Sequence, residues 1–307
     1  MKFSRPRKYF WIVLGWGIVI FGVAGIVVAI YSSLTGYNWP AWTGWSDYSG
    51  PLTKDQHGKT LWDWMQLLVI PAVLAFGALW FNRAERTNER KIAEERNKNE
   101  QEIAADRMRE AALQAYIDRM TELLLDKGLR KSKVGNDVRD VARTRTLTTL
   151  RMLDPARKGA LIRFLQEAEL ITKDTPVINL RDADLNGAYL CMADLRGADL
   201  RMADLSDADL SGALLSNTNL SEADLWRAKL EGVDLEGAIL NRANLCEAFL
   251  YGALLHNTNL REAFLREANL HWADLRGADL RGAKMEHAIL DEAKLAGATM
   301  PDGTMHE

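Results

Sequence analysis

The sequence has few of the residues that build disulfide frameworks or metal centres. Its 307 residues include two cysteines, Cys191 and Cys246, and five histidines. No CxxC pair is present and the histidines are scattered, so we expect neither a metal site nor a cofactor. The sequence also lacks a P-loop, a GxSxG elbow, an HExxH motif and a dinucleotide fingerprint. These absences predict that the protein is not an enzyme and has no catalytic residues.

A five-residue period runs through the last two fifths of the chain, as in ADLRGADLRMADLSDADL at residues 193–210. From residue 180 to residue 300 every fifth position is Leu, except for Met285 and Met300. The residue two places earlier is Ala at 21 of these 25 positions. A helix repeats every 3.6 residues and a strand every two, so neither keeps these side chains on one side. The chain therefore has to turn every five residues, as in a solenoid with an Ala and Leu interior.

This pattern resembles the pentapeptide-repeat family, whose motif centres on A-(D/N)-L followed by two variable residues. The resemblance implies a right-handed quadrilateral β-helix over residues 176–300, with four pentapeptides to a coil, followed by a tail at 301–307. Residues 20 apart should then stack on one face, which places Cys191 and Cys246 outward and too far apart for a disulfide. The inward core is expected to include Leu185, Leu205, Leu225, Leu245 and Leu265.

Two long apolar runs precede the repeats and predict a membrane protein. Phe10–Tyr31 has no charged residue, and Leu61–Phe81 has only Asp63, so each is long enough for a transmembrane helix. Lys and Arg flank the two runs on their outer sides, which predicts a multi-pass protein of the cell membrane with both termini and the solenoid in the cytoplasm. The predicted segments are a basic N-terminus at 1–9, transmembrane helices at 10–31 and 61–81, and an external loop at 32–60.

Helical segments connect the second apolar run to the repeats. Residues 82–136 are rich in charge and helix formers, which indicates a charged helix and linker. Residues 137–175 predict a pair of helices that caps the open end of the solenoid. A 4, 3, 4 spacing of Leu113, Ile117, Met120 and Leu124 favours either self-association through a short coiled coil or docking on the following helices.

The fold class predicted is therefore mixed: two transmembrane α-helices, a cytoplasmic α-helical linker and a C-terminal β-helix. Because a solenoid filled with Leu and Ala has no internal cavity, we expect a non-enzymatic, membrane-tethered scaffold that binds an unidentified protein partner and no nucleic acid. An alternative from the bacterial family resemblance is an acidic imitation of DNA that binds a DNA-handling enzyme such as gyrase. From Pro176 onward the chain has 12 Lys and Arg against 22 Asp and Glu, a net charge of −10.

Large apolar and aromatic residues at outward positions mark a candidate partner surface. A 20-residue coil places Tyr251 beneath His271, with Trp272 beside them and Phe249 two residues from Tyr251. Tyr and Trp are frequent in the energetically important parts of protein interfaces. The candidate surface comprises Phe249, Tyr251, Phe264, His271 and Trp272.

Overall fold

The computed structural model describes residues 61–133, 135–171 and 176–307. The chain divides into two compact units, Met1–Lys98 and Asn99–Glu307. Three α-helices lie in the described ranges, α1 at Leu61–Leu125, α2 at Asp137–Leu150 and α3 at Pro155–Glu167. A short 3-10 helix at Leu129–Lys131 lies between α1 and α2, and the pentapeptides follow α3.

The prediction of a multi-pass membrane protein is wrong for the part of the chain that the structure describes. In the ranges 61–133, 135–171 and 176–307 no helix is both long enough and apolar enough to cross a bilayer. The apolar residues 61–81 begin a helix that continues without a break to Leu125 and is highly charged from Arg83 onward. The other predicted span, 10–31, and the loop 32–60 lie outside the described residues.

The second unit begins with the charged part of α1, which packs on α2 and α3. Leu113 and Met120 are buried in the same core as the two shorter helices, and Ile117 and Leu124 are partly buried against it. The residues of the predicted self-association seam therefore pack within their own chain. The Tyr116 hydroxyl shares a 2.8 Å hydrogen bond with Thr146 Oγ1 of α2, and burial raises the pKa of this tyrosine well above its ordinary value.

Both short helices start at side-chain caps that the sequence supplies. Asn136 Oδ1 accepts a hydrogen bond of 3.0 Å from the backbone N–H of Val138 at the start of α2. Asp154 Oδ1 accepts one of 3.0 Å from Arg157 at the start of α3, where Pro155 occupies the first turn.

The repeats form a solenoid in which each residue lies above the residue 20 positions earlier. Twenty parallel bridges, from Asp184 with Asp204 to Asp279 with Thr299, join successive coils. Backbone hydrogen bonds such as Leu180 N–H to Asp199 O at 2.9 Å connect the coils beside each bridge. We name the four faces by their central residues: face A includes 180 and 200, face B 185 and 205, face C 190 and 210, and face D 195 and 215.

The interior consists of the periodic Leu and Ala side chains. Every central residue from Leu180 to Leu280 is at most 2% exposed. Thr218 and Thr258 replace Ala on face A and are also buried, and their hydroxyls donate to the backbone oxygens of Leu195 and Leu255. The buried core is thus continuous, and polar groups inside it have backbone partners.

Each coil turns through tight corners with a fixed backbone geometry. The backbone N–H of the residue three after each central residue bonds back to the central carbonyl, as Ala183 does to Leu180 at 3.0 Å. The second residue after the centre is left-handed in all 24 turns from Asp182 to Gly297, with φ from 54° to 74°. This is the geometry of a type II turn, which has a positive φ at its third residue.

The start of the solenoid is covered by α2 and α3. Lys158 of α3 is buried and donates to Asp184 Oδ1 at 2.5 Å and to the carbonyl of Asn186 at 3.2 Å. Arg143 of α2 donates to Asn179 Oδ1 at 2.6 Å and to the carbonyl of Arg181 at 2.8 Å. These bonds satisfy polar groups of the first coil that would otherwise face an apolar helix surface.

The last coil is covered less completely. Thr299 pairs in antiparallel fashion with Met305, and Met300 N–H bonds to Thr304 O at 2.7 Å, so the tail folds over one part of it. The inward side chains of that coil are only partly buried, namely Met285, Leu290, Leu295 and Met300.

Candidate functional site

Three rings meet at the corner between faces C and D, and we call them the aromatic corner: Tyr251, His271 and Trp272. Tyr251 and His271 occupy equivalent positions one coil apart, and their ring centroids are 5.6 Å apart with planes 25° from parallel. Trp272 follows His271 in the chain, and its centroid lies 5.9 Å from His271 and 6.4 Å from Tyr251. The three planes are within 32° of one another, so the corner presents nearly parallel aromatic surfaces.

The aromatic corner faces solvent beside an open strip of backbone. Tyr251 is 47% exposed and Trp272 is 58% exposed. The residues at the position of Trp272 in the two preceding coils are Gly252 and Gly232, and a Cβ atom at either would meet nothing within 4 Å. Gly232 and Gly252 therefore leave an open stretch of this column next to Trp272.

The other two residues of the predicted surface lie apart from this corner. Phe249 is 44% exposed on face C, where its backbone pairs with Lys229 and Asn269. Phe264 lies on face B, and the ammonium of Lys284 sits 4.7 Å from its ring centroid. The structure thus brings Tyr251, His271 and Trp272 together, whereas neither phenylalanine has a ring contact with them.

The predicted core leucines point into the solenoid. Leu185, Leu205, Leu225, Leu245 and Leu265 are each at most 1% exposed. All five lie on face B, where residues 20 apart are stacked. Their role is to fill the interior, and they do not contribute to the outer surface.

The Asp and Asn residues that precede the central Leu have a structural role at the turns. At thirteen of the fourteen, the side-chain Oδ1 accepts a hydrogen bond from the backbone N–H two residues later. The exception is Asn179, whose Oδ1 accepts from Arg143 instead. Such Asx turns stabilise a change in chain direction. These Asp and Asn side chains are thus turn formers, which gives the sequence motif A-(D/N)-L a local physical reason.

Several of these carboxylates are also paired with arginine. Arg201 donates two hydrogen bonds to Asp199, at 2.8 and 2.7 Å, and Arg276 makes the same pair with Asp274 at 2.8 and 2.6 Å. These bonds hold the pKa of both carboxyls below its ordinary value, against the opposing effect of burial. A carboxylate with a lowered pKa is a poor general acid near neutral pH.

No metal centre is formed within the described ranges, since no group of three or more His, Cys, Asp and Glu side chains is suitably placed. Cys191 and Cys246 are free thiols, the first exposed and the second half-buried. One contact that the sequence reasoning missed joins His256 Nε2 to Glu236 Oε1 at 2.8 Å on face D. The spacing of 20 residues between these two was the signal that could have found it.

Comparison with known proteins identifies the repeats. The family described as Pentapeptide repeats matches residues 178–302 in eight copies. HetL from the cyanobacterium Nostoc, a pentapeptide repeat protein involved in heterocyst differentiation regulation, is 38% identical; the match covers 43% of this chain and 68% of HetL, with a TM-score of 0.22. The chain belongs to the pentapeptide-repeat family. The predicted right-handed β-helix at the C-terminal end is confirmed by this membership.

Two further solved structures are similar to this pentapeptide-repeat protein. Rfr23 from the cyanobacterium Cyanothece is 39% identical over 31% of this chain and 64% of its own, which is less than two thirds of its length, with a TM-score of 0.29. QnrB1, a plasmid-mediated fluoroquinolone resistance protein, is 17% identical over 38% of this chain and 77% of its own, with a TM-score of 0.24. No curated protein is significantly similar in sequence to the pentapeptide-repeat chain.

Proposed function

We propose that this pentapeptide-repeat protein is a non-enzymatic scaffold whose solenoid binds another protein. The observation that carries the proposal is the aromatic corner, where Tyr251 and Trp272 are about half exposed on a continuous hydrogen-bonded frame. Tyr and Trp supply large contact areas and dominate the binding energy of many interfaces. The Asp side chains before the central Leu are engaged in turns, and several are also paired with arginine, which favours a structural over a catalytic role for them.

The frame beneath the aromatic corner supports a binding role because it is ordered before a partner arrives. Gly252 N–H donates to His271 O at 3.0 Å, and Trp272 N–H donates to Asp291 O at 3.1 Å. The rings therefore sit on backbone that is fixed by the coils on both sides. A surface that is already ordered loses little conformational entropy on binding.

The alternative, imitation of DNA for a DNA-handling enzyme such as gyrase, has weaker support. Carboxylates on faces A and D are paired with Arg201, Arg281, Arg196 and Arg276 at 2.6 to 2.7 Å. These pairs interrupt the negative charge on faces A and D, whereas DNA presents a uniform negative field.

A crosslinking capture experiment tests the scaffold proposal. We expect the purified full chain to capture a reproducible set of proteins from a lysate of the source cell. The triple variant Phe249→Ser, Tyr251→Ser and Trp272→Ser should lose that set, because it removes the exposed rings while leaving the buried Leu and Ala in place.

The same contacts between rings also stabilise neighbouring coils, by a few tenths to about 1 kcal/mol per pair. Thermal melting therefore has to accompany the capture. As a control, Leu214→Ser with Ile239→Ser removes two apolar side chains that are 37% and 38% exposed on faces D and A. Retained capture by the triple variant, or equal loss in the control, would contradict the proposal.

A further inference from the structure

The aromatic corner lacks the bound cation that two other rings of the solenoid have. Lys284 Nζ lies 4.7 Å from the Phe264 centroid, and the Arg227 guanidinium lies 5.0 Å from that of Trp226. Within the described ranges no Lys or Arg sits over Tyr251 or Trp272. The negative face of an aromatic ring attracts a cation within about 6 Å, and indole is the strongest of the three side chains. The corner thus offers unoccupied ring faces.

Carboxylates bracket the aromatic corner along the solenoid. The next coil places Asp291 and Glu292 above His271 and Trp272, and both acids are exposed without an ion pair in the described part of the chain. The preceding coil places Glu231 below Tyr251, where it accepts a hydrogen bond of 3.0 Å from Ser211. Coils stack about 4.8 Å apart, so a cation on the rings would lie within one to two coil steps of three carboxylates.

The nearest Lys and Arg side chains of the chain itself either stand beside an aspartate or lie away from the rings. Arg276 on face D is held by Asp274 through two hydrogen bonds of 2.8 and 2.6 Å, and Lys294 stands above that same aspartate. Lys229 on face C lies below Phe249. With a net charge of −10 over the residues from Pro176 onward, the surrounding field favours a cation from outside.

The glycine strip beside the rings gives an incoming side chain room to lie against the surface. Gly252 stands below Trp272, and Gly232 stands below Gly252, with open space where their side chains would be. A long side chain can therefore approach along the backbone and reach the indole without displacing a neighbour.

We infer that the aromatic corner binds an arginine side chain from a basic segment of the partner protein. Arginine fits better than lysine, because its planar guanidinium stacks on aromatic faces and can also pair with a carboxylate. In this arrangement the guanidinium lies on Trp272, with Asp291 and Glu292 as its ion-pair partners. The inference rests on the proposed scaffold function and specifies the chemistry of its partner.

Binding of defined peptides to the full chain tests the inference. The probe is a fluorescein-labelled peptide of alternating Gly and Arg with four arginines, and its counterpart carries neutral citrulline in their place. Fluorescence anisotropy should give at least tenfold weaker binding for the citrulline peptide and several-fold weaker binding for a lysine peptide. Raising the ionic strength should weaken the binding of the arginine peptide, since exposed charges are screened.

Variants then locate the site. Trp272→Ser should lower the affinity for the arginine peptide at least fivefold, whereas Trp272→Phe should keep most of the affinity because an aromatic face remains. Asp291→Asn with Glu292→Gln should weaken it and reduce the dependence on salt. The matched control is Tyr189→Ser, which removes a 61% exposed ring from face C outside the aromatic corner and should leave the affinity unchanged.

The inference is overturned if the arginine and citrulline peptides bind equally, if Trp272→Ser binds as the unaltered protein does, or if Tyr189→Ser weakens binding to the same extent. Should Trp272→Ser lower the melting temperature, Trp272→Phe and the Asp291 and Glu292 double variant decide the matter. Failure of the arginine peptide, together with ring-dependent capture of proteins, removes the inference and leaves the scaffold. Loss of ring-dependent capture removes the scaffold itself.

Discussion

At the scale of the residue, one backbone position in each pentapeptide is under conformational stress. Fifteen of the 24 left-handed turn positions are occupied by residues other than Gly, among them Trp272, Met192 and several Glu. A left-handed conformation costs an L-residue roughly 1–2 kcal/mol. Hydrogen bonds between coils hold most of these turns in place, and thirteen Asx hydrogen bonds add to them, so the cost is distributed along the solenoid.

Substitution of Gly232 isolates this cost. Because a Cβ at residue 232 would meet nothing within 4 Å, Gly232→Val adds backbone strain without a steric clash. We expect it to reduce the free energy of unfolding by roughly 1–2 kcal/mol, since φ is 61° and a β-branched residue tolerates that region poorly. Gly232→Asn should cost less, because Asn adopts left-handed turns readily. Urea unfolding followed by circular dichroism measures both, and equal stability of the two variants would contradict the explanation.

The inward residues could be predicted from the sequence, whereas the turn residues could not. A strict period of five leaves only one arrangement in which Leu and Ala both face inward, so Leu225 and Ala223 are identified at once. The left-handed position accepts Gly, Asn, Asp, Glu, Arg, Met, His and Trp alike, so its residue type contains little information. Only the hydrogen-bonded frame specifies its conformation.

At the scale of the element, α3 lies against the first coil at a distance that only glycine permits. Gly159 is buried, and a Cβ there would clash with the backbone carbonyl oxygen of Tyr189. The Tyr189 N–H donates to Pro155 O at 3.1 Å, one turn earlier in the same helix. Helix and coil are therefore joined through backbone atoms, which cannot move aside as a flexible side chain can.

Gly159→Ala should accordingly separate α3 from the solenoid or shift both. We expect a loss of about 1–3 kcal/mol in the free energy of unfolding, as for overpacking elsewhere. Gly77→Ala is the matched control, because residue 77 is also a helical glycine and has nothing within 4 Å of the added Cβ. That change should be neutral or slightly stabilising, since Ala favours a helix. Thermal melts of the two full-length variants compare them, and an unperturbed Gly159→Ala protein would refute the close contact.

Local sequence signals mark where the short helices begin, but they do not show what the helices contact. Asn136 and Asp154-Pro155 are such local signals, and α2 and α3 begin directly after the caps Asn136 and Asp154. The expected transmembrane helix at 61–81 is not found in the described residues, where the apolar sequence and the charged sequence after it continue in one helix to Leu125. The contact of Gly159 with Tyr189 is absent from any local pattern, since it depends on where the helix docks.

At the scale of the whole solenoid, the coils are equivalent, so their number can change without altering how the remaining coils stack. Every residue from 184 to 279 that forms a bridge does so with a residue 20 positions away. Removing one coil therefore preserves every column, whereas removing one residue moves all later Leu side chains out of the interior.

Deletion of Ser221–Leu240 should leave a folded protein, because Leu220 would be followed by a coil with the same inward positions. Deletion of Ser221 alone should prevent folding of the later coils, since it exposes Leu and buries polar residues. Far-ultraviolet circular dichroism and thermal melting of the two full-length variants give the comparison. Similar stability of both deletions would show that the 20-residue register does not control folding.

The aromatic corner was predictable in part by the same rule. The 20-residue coil places Tyr251 below His271, and the rings are indeed stacked there. The rule also brings Glu236 and His256 together on face D. It does not indicate which rings already hold a cation, because Lys284 and Arg227 reach Phe264 and Trp226 through side-chain conformations that the sequence leaves open.

The unequal covering of the two ends of the solenoid also gives it a mechanical polarity. Helices clamp the first coil through backbone and buried lysine contacts, whereas the last coil is held by its neighbour and a short tail. A pulling force on the C-terminus therefore peels off the outermost coil first, and each detachment exposes an equivalent coil. Twenty residues extend to about 70 Å when fully stretched, so the protein lengthens in regular steps of roughly that size. Under tension the solenoid therefore unfolds in one direction, from the last coil towards the coil that the helices hold.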